Sequence, residues 1–163
     1  MMPPKYHVFL CHRGPDTKRN IVSVLSGMLR SKRIKCFVDY QIRDRTHVPT
    51  EIHNAIQSSS VHILILSSDF ASSKYCKEEV IQIMETHGAE VTSHEPRKVI
   101  AVHYDVPSTL PADDTSHGLS NSNAWDSALK RLHQSAENLN ATVKRRKCIL
   151  FIRITLGKTR GDC

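Results

Sequence analysis

No apolar run in this sequence approaches membrane-spanning length. The longest are Val61 to Leu66, interrupted by His62, and Cys148 to Ile152, whereas a helix across a bilayer needs about 20 apolar residues. No apolar stretch of signal-peptide length follows Met1-Met2-Pro3-Pro4-Lys5, so the cytosol is the expected address and no membrane partner is expected. The cysteines number five, an odd count, with no two at the short spacing of a zinc or redox motif. They are expected as reduced thiols, most of them small core residues. The ten histidines are scattered, with no pair set beside a carboxylate in a metal-binding pattern, so no metal site is expected. A Gly-x-Gly-x-x-Gly run is also missing, which argues against a hydride-transferring dinucleotide enzyme. Internal repeats and low-complexity tracts are lacking too.

What is present suits one domain with a real core. The chain has 163 residues, 39% apolar and 24% charged, ordinary values for a globular protein. Its formal charge of +7 points to an anionic partner such as nucleic acid, a phosphate-rich ligand or an acidic surface. The densest basic run is Lys144-Arg145-Arg146-Lys147. No aromatic residues interleave with it, as a stacking platform for single strands would want, and a solvated face before a last strand explains it as well.

Along the chain, Tyr6 to Leu10 is a strand-length apolar run, closed by a loop at Cys11 to Asp16 with its Gly14-Pro15 pair. Thr17 is placed to cap a helix whose apolar stripe is Ile21, Val24, Leu25, Met28 and Leu29. Lys35 to Val38 reads as a second strand and Asp39 to His47 as a polar connection. Pro49 suits the first turn of a helix that buries Ile52 and Ile56. Val61 to Leu66 has the character of a parallel strand covered on both faces. Ser72 or Ser73 can cap the next helix, which runs to about Met84 with Gly88 as its stop. Val99 to Tyr104 is a fourth strand, and Asp105 to Ser122 a loop rich in Pro, Ser, Asp and Asn. Trp125, Leu129, Leu132 and Leu139 sketch a last helix, and Cys148 to Ile154 a last strand.

Strands alternating with amphipathic helices give an α/β fold, a parallel sheet of four to five strands with helices on both faces. Ligands of such sheets sit beyond the carboxyl ends of the strands. That rule selects Cys11 to Asp16, Asp39 to His47 and Ser67 to Ser73 as the places to look for function.

Those segments resemble a known family. His7-Val8-Phe9-Leu10-Cys11-His12-Arg13-Gly14-Pro15-Asp16-Thr17 is similar to the opening strand and Arg-Gly-x-Asp-Thr loop of the plant Toll/interleukin receptor-type (TIR) domains. Phe37-Val38-Asp39 matches their second strand, and Val99 to Asp105 their fourth. Ser67-Ser68-Asp69-Phe70-Ala71-Ser72-Ser73-Lys74-Tyr75-Cys76-Lys77-Glu78-Glu79-Val80 matches the stretch that carries the family's catalytic glutamate. On this resemblance residues 5 to 143 form the TIR domain, while 144 to 163 are an unassigned basic tail or a divergent last strand. The resemblance implies a flavodoxin-like fold, signalling in plant innate immunity and cell death, and activity that depends on self-association with this or other TIR domains. In many members it also implies cleavage of NAD to nicotinamide and ADP-ribose-type products. NAD would then be a substrate and no cofactor is implied.

Two adjacent glutamates compete for the catalytic role. At about 100° per residue, Cys76, Val80 and Ile83 define the buried side of the helix. Glu79 falls roughly 60° from Cys76, at the buried edge near Ser72, and Glu78 falls on the solvated side. One carboxylate suffices for NAD. A glycosidase needs a second one to protonate a sugar leaving group, but the pyridinium departs as neutral nicotinamide. The remaining task, stabilising an oxocarbenium-like ribose, suits a carboxylate at a buried edge. The plainer alternative is a surface glutamate paired with Lys77 or Lys74.

The substrate-binding candidates are His12, Arg13, Gly14, Pro15, Asp16, Thr17, Lys18, Arg45 and Ser72. Arg13 and Lys18 surround a helix amino terminus where a pyrophosphate could lie; equally, the loop is a tight turn needing Gly14, with Asp16 bonded to backbone. Arg43 and Arg45, in the segment matching the family's loop beside the ligand, contact phosphate or a neighbouring subunit, or serve only solubility. Three departures stand out: Arg45-Thr46 where members carry Arg-Gly, Tyr75 for a tryptophan, and Ser23-Val24 for the Ser-His of a self-association surface. Because Val24 fits the core stripe, it is not expected at such a surface. The competing functions are a non-catalytic TIR adaptor and a nucleic-acid-binding or cyclic-nucleotide-forming TIR domain.

Overall fold

A computed structural model describes residues 6–38, 48–88, 97–105 and 122–141. The strands are β1 (Val8–His12), β2 (Cys36–Val38), β3 (Val61–Leu66), β4 (Lys98–Tyr104) and β5 (Glu137–Ala141). They form one parallel sheet in the order β2-β1-β3-β4-β5, the flavodoxin-like winding. The helices are α1 (Gly14–Thr17), α2 (Ser23–Ser31), α3 (Val48–Ser58), α4 (Lys74–Gly88) and α5 (Ser122–Ser135).

The pleat sorts the strand residues into two cores. Phe9, Cys11, Phe37, Leu64, Leu66, Val99 and Ala101 pack with residues of α3, α4 and α5. Val8, Leu10, Val38, Ile63, Ile65, Ile100 and Val102 lie on the other face with Ile21, Val22, Leu25 and Leu29. Side chains alternate faces along a strand, so a sheet covered on both sides must be apolar at almost every position. The burial of all five β1 residues meets that requirement.

Several boundaries differ from the sequence reading. β1 does not stop at Leu10: Cys11 and His12 stay in register with Leu64 and Ile65 of β3. The expected stripe of the first long helix is also corrected, because Val24 is 47% and Met28 43% exposed. A kink at Asn20, whose φ −113°, ψ −112° is non-helical, lies between α1 and α2. Ile21, Leu25 and Leu29 are buried as expected, with Val22 and Ser26 beside them in place of Val24 and Met28. Thr17 does not cap that helix with its side chain; its hydroxyl donates to the Arg13 carbonyl at 2.8 Å. Leu139 is not helical, since α5 ends at Ser135 and Leu139 lies in β5 opposite Val102. The fifth strand of the described sheet is thus Glu137–Ala141, a polar segment bonded to β4 on one side. The expected strand at Cys148 to Ile154 and the basic run at Lys144 lie outside the described residues.

Candidate functional site

The carboxyl ends of β1 and β3 carry the residues singled out above. His12, the last residue of β1, is buried, and its Nδ1 lies 3.0 Å from Thr17 Oγ1. The Thr17 hydroxyl proton is already committed to the Arg13 carbonyl. His12 Nδ1 must therefore be the donor in their contact. Arg13 pairs with Asp16, and Ser67 at the end of β3 donates to the other Asp16 oxygen at 2.7 Å. Asp16 is thus bonded to side chains, not to backbone as one reading of the loop held.

This loop is a closed network more than an open anion cradle. Its α1 is a single four-residue turn, and the Arg13 guanidinium already faces a carboxylate. Gly14 has open space where a Cβ would be, and its φ is not positive. The turn therefore does not need a glycine, contrary to the tight-turn reading. Pro15 and Lys18 are exposed. Arg43 and Arg45 lie outside the described residues.

The second contributor is the start of α4. A short turn, Phe70–Ser72, leads into it, and the backbone N–H of Cys76 donates to Ser73 Oγ at 3.3 Å. Ser73 is therefore the capping serine. The Ser72 hydroxyl is turned back onto the Asp69 carbonyl at 2.7 Å. From this cap the helix phase separates the two glutamates. Glu78 is exposed and lies 3.7 Å from the Lys74 ammonium. Glu79 is half-buried, and its negative charge helps to raise the pKa of the buried Cys11 thiol of β1. Lys77 extends over the Trp125 ring, 5.6 Å from its centroid.

A buried thiol joins α4 to β1: Cys76 Sγ donates to the His12 carbonyl at 3.6 Å, and Cys11 lies in the same buried cluster. Burial pushes the Cys11 thiol well above its ordinary pKa, with the Cys76 contact and the Glu79 charge acting in the same direction. Cys11 is therefore protonated at neutral pH.

The sequence reading named neither Cys11 nor Ser67 as a site residue. Strand parity places Cys11 on the Phe9 face. That α4 would cover this face so closely required the three-dimensional packing. Among the described residues no group of three or more His, Cys, Asp and Glu side chains could hold a metal ion. No helix of the described residues is long and apolar enough to cross a membrane.

Comparison with known proteins agrees with this fold. The family model for the TIR domain matches residues 5–144. The TMV resistance protein N of Nicotiana glutinosa is 34% identical over 102 residues, 62% of this chain and 8% of that protein. A probable 2' cyclic ADP-D-ribose synthase, BdTIR of Brachypodium distachyon, is 31% identical over 108 residues, 65% of this chain and 44% of the relative. The chain thus spans only a small part of the resistance protein and under half of the probable synthase. Among solved structures, the TIR domains of the activated Roq1 resistosome superpose with a TM-score of 0.55 at 27% identity, over 80% of this chain and 72% of that one. A Toll-related receptor TIR domain from Hydra magnipapillata, at 20% identity and a TM-score of 0.51, shares the fold over 80% of this chain and 97% of its own. The chain belongs to the TIR domain family, with plant disease-resistance proteins among its relatives.

Proposed function

We propose that this TIR domain cleaves NAD at the nicotinamide–ribose bond, with Glu79 as the catalytic carboxylate and the carboxyl ends of β1 and β3 as the substrate crevice. The observation that carries the reading is the contrast between neighbours. Glu79 is half-buried on the helix that Cys76 ties to β1, and Glu78 is exposed beside Lys74. A partly desolvated carboxylate is worth most where positive charge develops. In the reaction the C1′–N bond breaks and its electron pair leaves with neutral nicotinamide. Water then adds to the ribose cation and gives up a proton, yielding ADP-ribose. Attack by one of the substrate's own hydroxyls in place of water gives a cyclic product, and the similarity to a probable 2' cyclic ADP-D-ribose synthase makes that outcome worth measuring.

The exposure of Val24 and Met28 on α2 supports self-association as part of this function. The core-stripe objection to a surface role for Val24 no longer holds. Signalling in plant immunity and a cytosolic location complete the proposal, on the strength of the resistance-protein relatives. The same exposed side chains also suit a purely docking TIR domain, so the experiment must separate the two. Concentrated protein is incubated with NAD and nicotinamide is followed, beside Glu79→Ala and Glu78→Ala. The proposal expects release that rises more than proportionally with protein concentration, is abolished in Glu79→Ala and persists in Glu78→Ala. Equal release from the wild type and Glu79→Ala removes Glu79 from the mechanism, and no release at any concentration favours the docking function.

A further inference from the structure

We propose that a cleft at the amino ends of β1 and β2 is a separate ligand site, which holds a small nucleotide by its phosphates on Arg30, Arg33 and Lys35. The cleft has a volume of about 360 Å³, and Tyr6 and Ile34 complete its wall; pockets of this size take small molecules. It lies at the opposite end of the sheet from the proposed substrate crevice, so it does not depend on the catalytic role of Glu79. Between Asp16 and Asp39 the sequence holds no carboxylate, while Lys18, Arg19, Arg30, Lys32, Arg33 and Lys35 all fall there. Among the described residues no carboxylate pairs with Arg30, Arg33 or Lys35. Three like charges around one cleft repel one another, and a ligand carrying several negative charges relieves that repulsion. The guanidinium forks of Arg30 and Arg33 match phosphate oxygens.

Helix capping does not account for these cations. The last carbonyls of α2 already accept from backbone: Lys32 N–H donates to Met28 and Leu29, Arg33 N–H to Arg30, and Ile34 N–H to Leu29. The rest of the lining is uncharged. Ser26 donates its hydroxyl to the Ser23 carbonyl at 3.2 Å. Burial pushes the Cys36 thiol up to about 12 against the opposing charge of Arg30, so it stays neutral. The backbone under the cleft is fixed as well. The Lys35 carbonyl accepts from the His7 and Val8 N–H groups at 2.8 and 3.1 Å, and Lys35 N–H donates to His7 Nδ1 at 3.0 Å. Such fixing lowers the cost of ordering on binding. Arg33 stands at φ +59°, where glycine is the favoured residue, and strained positions cluster at functional sites. A guanidinium needed at the cleft accounts for an arginine there. The Tyr6 ring is held edge-on by Phe37, with centroids 5.1 Å apart. With Ile34 it forms an apolar wall that a bare phosphate would not use and a nucleoside would. One aromatic ring is not the row on which a nucleic-acid strand stacks, so a single small nucleotide fits better than a strand.

The test titrates ADP, pyrophosphate, adenosine and a single-stranded oligonucleotide into the isotope-labelled protein at physiological ionic strength, with backbone amide shifts read by NMR. ADP should shift the amides of Arg33, Ile34, Lys35 and Cys36 saturably and bind more tightly than pyrophosphate, and adenosine should leave them unmoved. Arg33→Gly, which removes the guanidinium and relaxes the backbone, should weaken ADP about tenfold while the protein stays folded. Lys35→Gln should weaken it by a similar factor, and Glu79→Ala should bind ADP as the wild type does. No response to ADP at millimolar concentration overturns the site, as do wild-type affinities in both cleft variants. Shifts confined to His12–Thr17 would place ADP in the substrate crevice and equally refute it. Saturation by the oligonucleotide without a response to ADP would assign the surface to nucleic acid instead. Pyrophosphate binding as tightly as ADP would overturn the place given to the nucleoside on Tyr6 and Ile34.

Discussion

Ser67 donates its hydroxyl to Asp16 Oδ2 at 2.7 Å, joining residues 51 positions apart across the carboxyl ends of neighbouring strands. Asp16 simultaneously pairs with Arg13, so one carboxylate locks the β1 loop onto β3. A hydrogen bond to a charged group contributes about 1.5–3 kcal/mol when sheltered. Ser67 is 6% exposed, which keeps water from replacing the bond. Ser67→Ala is expected to lower the unfolding free energy by about 1.5 kcal/mol. In a double-mutant cycle with Asp16→Ala, measured by urea unfolding, the pair should couple by about 1 kcal/mol or more. A coupling near zero would show that the bond adds nothing to stability.

The alternation of apolar strands with amphipathic segments was enough to read the parallel sheet, since every central strand must be apolar on both faces. Val61–Leu66 was legible to the residue for that reason. Glu137–Ala141 was not, because it has no β-branched residue and Leu139, seven residues after Leu132, continues the helical spacing of α5. In the first long helix Ile21, Leu25 and Leu29 follow the helical spacing, but nothing in Lys18-Arg19-Asn20-Ile21-Val22 announces the kink at Asn20 or the burial of Val22 and Ser26 in place of Val24 and Met28. At the candidate site, helix periodicity alone separated Glu78 from Glu79. The Cys76–His12 and Ser67–Asp16 contacts are long-range pairings, which a one-dimensional pattern does not encode.

Gly14 offers a test that separates stability from ligand approach. It sits in a helical turn with open space around its Cβ direction, and glycine in a helix costs roughly 0.5–1 kcal/mol relative to alanine. Gly14→Ala should leave the folded structure intact and raise the melting temperature slightly, by about 1–3 °C for a chain of this size. If NAD approaches this backbone, as the proposed function holds, the same variant should raise KM for NAD. A stabilised variant with unchanged KM would place the substrate away from Gly14.

The end of α2 carries a different backbone cost. Arg33 has φ +59°, while Arg33 N–H donates to the Arg30 carbonyl and Ile34 N–H to the Leu29 carbonyl, both at 2.9 Å. This is the paired hydrogen-bond pattern of a Schellman stop, whose left-handed position normally belongs to glycine. A side chain there costs roughly 1–2 kcal/mol, and the greater freedom of glycine in the unfolded chain offsets part of that. Arg33→Gly is expected to stabilise the domain by a net 0.5–1 kcal/mol or so, read as a higher urea midpoint with an unchanged slope. A lower midpoint would mean that the arginine side chain contributes more than its backbone costs.

His62 makes the fold sensitive to mild acid. It is fully buried in β3, with Nε2 donating to the Ile56 carbonyl at 2.9 Å and Nδ1 lying 3.2 Å from His87 Nε2. Because Nε2 holds the ring's proton, Nδ1 accepts and His87 Nε2 donates. Burial lowers the His62 pKa from 6.5 to about 4; the Ile56 bond opposes the shift, and the nearby His87 and Arg97 charges add to it. The folded state therefore keeps His62 neutral where the unfolded chain has begun to bind a proton, and stability falls with pH in that range. The contribution is complete above about pH 6.5 and is lost progressively as pH drops toward 4. By pH 5 the loss should reach about 2 kcal/mol. Glutamine at this position can still donate to Ile56 and accept from His87 but does not titrate. His62→Gln should thus be less stable than the wild type at pH 7 and show a smaller further loss between pH 7 and pH 5 in urea unfolding. If both proteins lose the same amount over that interval, the acid sensitivity lies elsewhere in the domain.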